Sequence, residues 1–384
     1  MRQGIAVFFL FLSVLYAPAQ DSLYARKTIK FLTSKACYGR GYLRNGLNTA
    51  ATYIAKELKT IGVQPLQAGG YFQPFFFNVN TFPGKVSVKI NGKALKPGED
   101  YIISPESAGL KGNFELRKKD SVTYVSNSST RPLIIRLKKK LTFSVATEAA
   151  DYCQVELLDK GNYADIKTAG VTIQNEVITP FEAKNIIGFL PGQANNDTMV
   201  IFSAHYDHLG GMGKKTFFPG ANDNASGVSV VLNLAKYYQA HPPKYKTLFI
   251  FFAGEEAGLL GSKFFTESGL ADLKKIKFLV NLDLLGTGDD GIMVVNGALH
   301  EKEFTLLQKI NAEQHLVKEV KKRGKARNSD HYWFTEAGVP AFFIYTLGGT
   351  TSYHDVFDVE KKLPLTDYKD VFRLITGFVE QLGQ

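Results

Sequence analysis

The hydrophobic pattern of the second half of the chain alternates between short apolar runs and amphipathic stretches. Apolar runs at 199–204, 247–253, 276–282, 292–295 and 341–346 predict strands, and helical periodicity predicts helices at 226–238, 259–267, 301–313 and 367–382. Strands that are apolar on both faces and alternate with helices indicate a sheet covered on both sides. We therefore expect an α/β fold, a three-layer α/β/α arrangement around a mostly parallel mixed central sheet.

The pattern differs before residue 183. Apolar residues recur at three- and four-residue spacing from 51 to 61, which predicts a helix over 46–62 that Gly62 ends. Between 83 and 182 apolar and polar residues alternate, as in VSVKI at 86–90, and turn signals such as Asn91-Gly92 follow. This alternating pattern predicts a β-rich insertion at 83–182 between two parts of a larger domain, 20–82 and 183–384.

The first nineteen residues have the features of a secretory signal peptide. Arg2 precedes an apolar run over 5–16, and Ala17-Pro18-Ala19 fits the small-x-small cleavage rule. The run is shorter than the ~20 apolar residues that a membrane-spanning helix needs. We therefore expect cleavage before Gln20, no stable membrane span, and export to the periplasm or the extracellular space.

Composition narrows the class of protein further. The 384 residues are 45% hydrophobic, which is enough for a sizeable core. The net charge of +10 comes from scattered lysines, which we interpret as a solvated surface and not as a nucleic-acid site. Export would permit a disulfide between Cys37 and Cys153, but we expect two free buried thiols. The sequence does not determine the oligomeric state.

Polar side chains follow four of the predicted strands at the point where each strand ends. They are His205 and Asp207 after the first, Glu255 and Glu256 after the second, Asp283 after the third, and His354 in a loop after the last. The carboxyl ends of strands in an open α/β sheet are where ligands gather. The sequence therefore predicts that these side chains meet at one edge of the sheet.

Each of these positions alone has an ordinary explanation. A His-x-Asp pair after a strand, a Glu-Glu pair at a helix start, or one Asp in a turn is common without any ligand. Together, buried carboxylates at one edge repel each other and are costly to desolvate unless cations neutralise them. Because carboxylates mixed with imidazole suit zinc, the set predicts a zinc site.

Several strings in the sequence resemble the signature of the M28 family of zinc aminopeptidases, in the same order and with similar gaps. They are SAHYDH at 203–208, GANDNASG at 220–227, FAGEEAGLLGS at 252–262, NLD at 281–283, SDH at 329–331 and YH at 353–354, with GRG at 39–41 near the start. The resemblance covers 25–80 and 183–384. The insertion stands where many family members carry a protease-associated domain, so it is either a reduced form of that domain or a wall of the cleft.

The resemblance implies a role for each matching position. His205 and Asp283 would hold one zinc ion, Glu256 and His354 a second, and Asp223 would bridge both. Asp207 would lie behind His205 and orient its ring, and Glu255 would be the general base. Two zinc ions would activate one water, whose proton Glu255 takes and passes to the leaving amine. The family also implies a cis peptide between Asp223 and Asn224.

The remaining polar residues near these strings have no assigned role at this point. Asp330, His331 and Tyr353 are candidates for substrate contact or for buried partners of the ligands. Four further histidines are interpreted as ordinary, namely His208, His241, His300 and His315.

The sequence therefore predicts a secreted metallo-aminopeptidase with two zinc ions and a peptide substrate. Three competing functions stay open. A glutaminyl cyclase of the same fold would use one zinc ion. A glutamate-type carboxypeptidase would need arginines to bind a substrate carboxylate, for which Arg323 and Arg327 are candidates. The non-enzyme possibility is an inactive binding module that kept the fold.

Overall fold

The computed structural model describes residues 22–127, 130–161, 163 and 165–382. The predicted signal peptide at 1–19 lies outside these residues. Among the described residues, no helix combines the length and the apolar composition that crossing a membrane requires.

The part of the chain that the structure describes contains seven α-helices. They are α1 (Ser22–Leu32), α2 (Gly46–Ile61), α3 (Gly227–Ala240), α4 (Leu260–Glu267), α5 (Glu301–Gln314), α6 (His331–Glu336) and α7 (Tyr368–Gln381). The predicted helix over 46–62 is confirmed as α2, which ends at Gly62 in a left-handed conformation with a φ of 94°. The sequence does not predict α1 or α6, and α6 has only 6 residues, too few to display a helical period.

The strands are numbered in chain order. They are β1 (Gln64–Pro65), β2 (Phe72–Thr81), β3 (Val86–Ile90), β4 (Lys93–Ala94), β5 (Tyr101–Ile103), β6 (Leu110–Lys118), β7 (Thr123–Ser126), β8 (Leu133–Lys138), β9 (Cys153–Leu158), β10 (Thr168–Ile173), β11 (Glu176–Leu190), β12 (Met199–His205), β13 (Gly211–Met212), β14 (Thr216–Phe217), β15 (Lys246–Phe252), β16 (Ile276–Leu282), β17 (Ile292–Val295), β18 (Val320–Arg323) and β19 (Ala341–Thr346). The five strands predicted after residue 183 are all present.

Nine strands form the main sheet in the order β1-β11-β15-β12-β16-β19-β17-β18, with β2 also paired to β11. The four central strands, β15, β12, β16 and β19, run parallel to each other. On either side, β11 joins β15 and β17 joins β19 in antiparallel pairs. The mixed α/β fold is therefore confirmed, with parallel pairing concentrated at its centre, where the predicted site lies.

Alternate residues of the central strands pack into two separate hydrophobic cores. In β12, Val200 and Phe202 belong to a core that includes side chains of α2, α3 and α7. The intervening Met199 and Ile201 belong to a second core with residues of α4 and α6. Successive side chains of a strand point to opposite faces, so both faces of the sheet are buried. This double burial explains why the sequence of each central strand is apolar without alternation.

Residues between β2 and β11 form a second sheet of eight strands, in the order β4-β3-β10-β6-β7-β8-β9-β5. Its hydrophobic core includes Leu209, Met212 and Phe218, which come from the segment between β12 and α3 of the main domain. The strand that follows the insertion, β11, runs without a break across residue 182. The insertion thus shares a core with the main domain, while its predicted limits of 83 and 182 stay a prediction.

The prediction of free cysteines is confirmed. Cys37 and Cys153 are both buried and form no disulfide. Burial raises the pKa of the Cys37 thiol to about 11 and that of Cys153 to about 12, so both are protonated and unreactive at neutral pH.

Candidate metal centre

The central parallel strands bring the predicted side chains to one edge of the sheet. His205 is the last residue of β12, Asp283 follows β16 directly, and Glu256 lies just after β15. Asp223 lies in the irregular segment Ala221–Ser226 that leads into α3, and His354 lies in the loop after β19. Residues that are far apart in sequence therefore meet because parallel strands end at a common edge.

His205 faces two carboxylates. Its Nε2 atom lies 3.4 Å from Asp223 Oδ1 and 3.4 Å from Asp283 Oδ1. Asp283 Oδ2 accepts a hydrogen bond from Ser329 Oγ at 3.2 Å, whereas Asp283 Oδ1 is buried without a hydrogen-bond partner. A buried carboxylate oxygen without a donor is costly, so this oxygen fits a cation ligand. The three side chains together could hold one metal ion.

His354 faces the other oxygen of the same aspartate. Its Nε2 atom lies 3.1 Å from Asp223 Oδ2 and 3.2 Å from Glu256 Oε2. Asp223 therefore presents one oxygen towards each imidazole. This is the arrangement that a carboxylate needs in order to bridge two metal ions.

The contacts of Asp207 differ in detail from the prediction. The Nδ1 atom of His205 lies 3.2 Å from the main-chain oxygen of Asp207 and 3.7 Å from its carboxylate. The carboxylate instead accepts the main-chain N–H groups of Glu255 and Glu256 at 3.2 and 3.3 Å, and the hydroxyl of Tyr42 at 3.0 Å. Asp207 thus orients the His205 ring through its main chain and holds the Glu255-Glu256 turn through its side chain.

Two buried charges hold the segment that carries Asp223. The carboxylate of Asp358 accepts the main-chain N–H groups of Asn222 and Asp223. The guanidinium of Arg40, which is fully buried, donates to the main-chain oxygens of Leu32, Tyr206, Pro219, Gly220 and Asp223. The expected cis peptide between Asp223 and Asn224 is confirmed. Arg40 lies within the early GRG string, but the sequence alone did not indicate what it binds.

His208, interpreted from the sequence as an ordinary histidine, is part of the centre. It is fully buried, and its Nδ1 atom lies 2.7 Å from Glu256 Oε1. Because a carboxylate only accepts, His208 donates this hydrogen bond and leaves Glu256 Oε2 to face His354. The signal for His208 in the sequence is its place at the end of the SAHYDH string, directly after Asp207.

Burial and mutual repulsion dominate the electrostatics of the centre. Burial, with further repulsion from Glu256, Asp330 and Asp283, raises the pKa of Glu255 well above its usual value. Burial also raises the pKa of Asp283. In the opposite direction, the two imidazoles overcome burial and hold the pKa of Asp223 well below its usual value. The chain thus concentrates negative charge in a buried space, which suits one or more cations.

A cavity of about 180 Å³ opens onto these groups. It is lined by the carboxylates of Asp223, Glu255 and Asp283, by both imidazoles, and by Leu284, Asn328, Phe343, Tyr345 and Tyr353. None of these described lining residues is a lysine or an arginine.

Asp330, His331 and Tyr353, to which the sequence assigns no single role, lie in different places. Tyr353 lines the cavity and stacks on the His354 ring at 3.9 Å. Asp330 and His331 are fully buried and do not line the cavity. Burial raises the pKa of Asp330 to about 7 and lowers that of His331 to about 4. Of the three, Tyr353 has the position to contact a substrate.

Residues 185–379, just over half of the chain, match the family described as peptidase family M28. The chain belongs to this family, which confirms the resemblance. Aminopeptidase YwaD from Bacillus subtilis is 31% identical over 179 residues, covering 45% of this chain and 38% of the relative. The chain therefore spans about two fifths of the length of this curated relative.

Solved structures match the fold of this chain over a longer part of its length. The aminopeptidase from Aneurinibacillus sp. strain AM-1 superposes with a TM-score of 0.67 and 21% identity, covering 95% of this chain and 94% of that chain. The zinc aminopeptidase BSAP from Bacillus subtilis gives a TM-score of 0.66 and 20% identity, covering 93% and 94%. At these identities the likeness establishes the fold.

Proposed function

We propose that the chain is a zinc-dependent exopeptidase, and specifically an aminopeptidase that hydrolyses the N-terminal residues of peptides. The observation that carries this proposal is the position of Asp223 between two imidazoles, with Oδ1 3.4 Å from His205 Nε2 and Oδ2 3.1 Å from His354 Nε2. Asp283 completes one half of the centre and Glu256 the other half. The names of the relatives as aminopeptidases and as a zinc aminopeptidase support the same proposal.

The donor set fits two zinc ions. His205 and Asp283 would hold one ion, Glu256 and His354 the second, and Asp223 both. Imidazole and carboxylate ligands in groups of three leave a position open, as in catalytic zinc sites. When bound, the ions would supply an activated water at neutral pH and polarise the scissile carbonyl.

Glu255 is the residue proposed to move the proton. It lines the cavity, and its main-chain N–H is held by the Asp207 carboxylate at 3.2 Å. The carboxylate of its neighbour Glu256 instead contacts the imidazoles of His208 and His354, so the adjacent glutamates have separate roles. Glu255 would take the proton of the attacking water and deliver it to the amine that leaves.

The lining of the cavity favours an aminopeptidase over a carboxypeptidase. Arg323 and Arg327, the candidates for binding a substrate carboxylate, do not line the cavity. Arg323 instead reaches the Tyr345 hydroxyl at 3.4 Å, and Arg327 lies over the rings of Tyr332 and Trp333. A substrate carboxylate would therefore find no guanidinium partner among the residues that line the cavity.

The full set of ligands also favours an aminopeptidase over a glutaminyl cyclase and over an inactive binding module. A glutaminyl cyclase of this fold would use one zinc ion, whereas the pairing of both imidazoles with Asp223 supports two. An inactive binding module would tolerate a lost ligand or base, and all five ligands and Glu255 are present.

The proposal also covers the cellular location of the enzyme and the arrangement of its layers. The sequence of residues 1–19 supports export to the periplasm or the extracellular space. The two cores on opposite faces of the main sheet support the three-layer α/β/α arrangement.

Hydrolysis of aminoacyl nitroanilides tests the proposal, with N-acetylated versions of the same compounds and a glutaminyl peptide alongside. We expect cleavage of the free-amine compounds, no cleavage of the blocked ones, loss of activity with a chelator and recovery with zinc. Cleavage of blocked substrates alone would reject the aminopeptidase assignment. Cyclisation of the glutaminyl peptide without hydrolysis would support the cyclase instead.

A further inference from the structure

The insertion contacts one of the proposed metal ligands directly. The main-chain oxygen of Phe143 lies 3.0 Å from Nδ1 of His354, and the main-chain N–H of Phe143 donates to the main-chain oxygen of His354 at 2.9 Å. Phe143 lies between β8 and β9, far along the chain from every proposed ligand. The two residues therefore hold each other through a pair of hydrogen bonds.

The contact matters because of the conformation of His354. It lies in an irregular segment after β19, and its φ of 54° is a left-handed conformation that few non-glycine residues adopt. A main-chain oxygen at Nδ1 requires the proton on that nitrogen. When the ring gives up its second proton to bind a metal ion, the lone pair is then on Nε2, the atom that faces Asp223 and Glu256.

Phe143 is itself fixed by packing against the main domain. Its ring stacks on that of Phe218 with centroids 4.4 Å apart and an angle of 2° between the planes. Both residues are buried, and both belong to the core of the insertion. Next to this stack, Lys140 donates to the main-chain oxygen of Thr351 at 2.7 Å, a second link between the same two segments.

We propose that Phe143 is a positioning residue for His354, so that the insertion helps to build the half of the metal centre formed by His354 and Glu256. The main-chain oxygen of Phe143 sets the tautomer and the direction of the His354 ring. The side chain of Phe143, stacked on Phe218, fixes the position of that main-chain oxygen. The inference rests on the proposed function. It gives the insertion a task besides that of a cleft wall. The half of the centre formed by His205 and Asp283 has no such dependence, because His205 is oriented by Asp207 within the main domain.

Zinc titration of the full-length, metal-free chain against a chelating dye tests this inference, since it measures the affinity for each ion apart from activity. In Phe143→Ala we expect the Kd of one ion to rise about 10- to 100-fold, the range typical for losing such a partner, while the Kd of the second ion stays within about 3-fold. Phe218→Leu, which removes the stack from the opposite side, should weaken the same ion. Phe143→Tyr, which keeps the ring, should bind both ions normally.

Tyr124→Ala is the matched control, because Tyr124 is a similarly buried aromatic residue of the same core that takes no part in the hydrogen bonds between Phe143 and His354. It should lower the melting temperature and leave both Kd values within about 3-fold. If Phe143→Ala keeps both affinities, or if it and Tyr124→Ala weaken both ions alike, the inference is overturned. If the unsubstituted chain does not bind two zinc ions at all, the proposed function itself fails.

Discussion

The ring of His205 lies closer to the main-chain oxygen of Asp207 than to its carboxylate. Nδ1 lies 3.2 Å from the main-chain oxygen and 3.7 Å from the carboxylate oxygen. The carboxylate accepts the N–H groups of the next loop, which carries Glu255 and Glu256. A single residue therefore aligns a ligand of one half of the centre with the base and a ligand of the second half.

Asp207→Asn should separate these two tasks. The asparagine keeps the main-chain contact to His205, but the N–H groups of Glu255 and Glu256 bind different carboxylate oxygens and the amide has only one oxygen. One N–H group therefore loses its acceptor, and the Glu255-Glu256 turn shifts. We expect kcat to fall about 10- to 100-fold while the ion at His205 stays bound. Tyr42→Phe is the control, because it removes only the hydroxyl donor. Steady-state kinetics and zinc content measured on both variants check this prediction. A larger fall in kcat in Tyr42→Phe than in Asp207→Asn would contradict it.

The adjacent glutamates should respond differently to the same isosteric change. Glu255→Gln removes the proton acceptor and no ligand, so we expect both zinc ions to remain and kcat to fall about 10²- to 10⁴-fold. Glu256→Gln should instead weaken zinc binding, since it removes a charged ligand. Metal content and kcat measured on both variants check this pair, and full activity in Glu255→Gln would show that the base lies elsewhere.

Zinc binding should release protons, and more of them at neutral pH than at high pH. Burial lowers the pKa of His354 in the metal-free chain, but the carboxylates of Glu256 and Asp223 outweigh burial and raise the pKa to about 9. Below pH 9 the His354 imidazole is therefore protonated and must lose its proton to bind, so the contribution of His354 to proton release and to the pH dependence of zinc affinity ends at about pH 9. Calorimetry in two buffers of different ionisation enthalpy, at about pH 7 and about pH 9.5, measures the proton count. Equal release at both values would contradict this prediction.

Arg40→Lys should destabilise the fold strongly. Arg40 is fully buried and donates to five main-chain oxygens around the Asp223 segment. Lysine has three donors on one nitrogen, so at least two of these oxygens lose their partner, each at a cost of about 1–3 kcal/mol. We expect the free energy of unfolding to fall by about 2–6 kcal/mol in urea denaturation.

Arg26→Lys is the control for this prediction. Arg26 also donates to main-chain oxygens, those of Leu363 and Pro364, but its side chain is 37% exposed, so water can replace the lost bonds. The expected loss is under about 1 kcal/mol. Similar losses in the two variants would contradict the role assigned to burial of Arg40.

The central part of the fold could be predicted from the sequence because its strands are buried on both faces. The runs at 276–282, 292–295 and 341–346 coincide with β16, β17 and β19. By contrast, β18 (Val320–Arg323) has three basic residues among its four and is exposed at the edge, so no apolar run reveals it. The antiparallel pairing of β2 with β11 joins residues that stand on opposite sides of the insertion, which a local pattern cannot display.

The sequence predicts those residues of the site that stand at the ends of strands or within the family strings. The structure brings His205, Asp223, Glu256, Asp283 and His354 together, whereas their roles stay predictions. His208 stands within one of these strings but received no role, and Phe143 lies outside them, because the part that each plays depends on a contact with a distant segment. The group that contacts Nδ1 of His205 could not be predicted either, because an Asp two residues after a histidine offers both a carboxylate and a main-chain oxygen.

The central claim is that this buried set of carboxylates and imidazoles holds two zinc ions with Asp223 between them. Anomalous scattering from crystals of the zinc-loaded chain, collected on either side of the zinc absorption edge, locates the ions directly. We predict two peaks, one contacted by His205 and Asp283, the second by His354 and Glu256, with an Asp223 oxygen at each. A map with no peak in this cavity, or with zinc bound only elsewhere on the chain, would contradict the account.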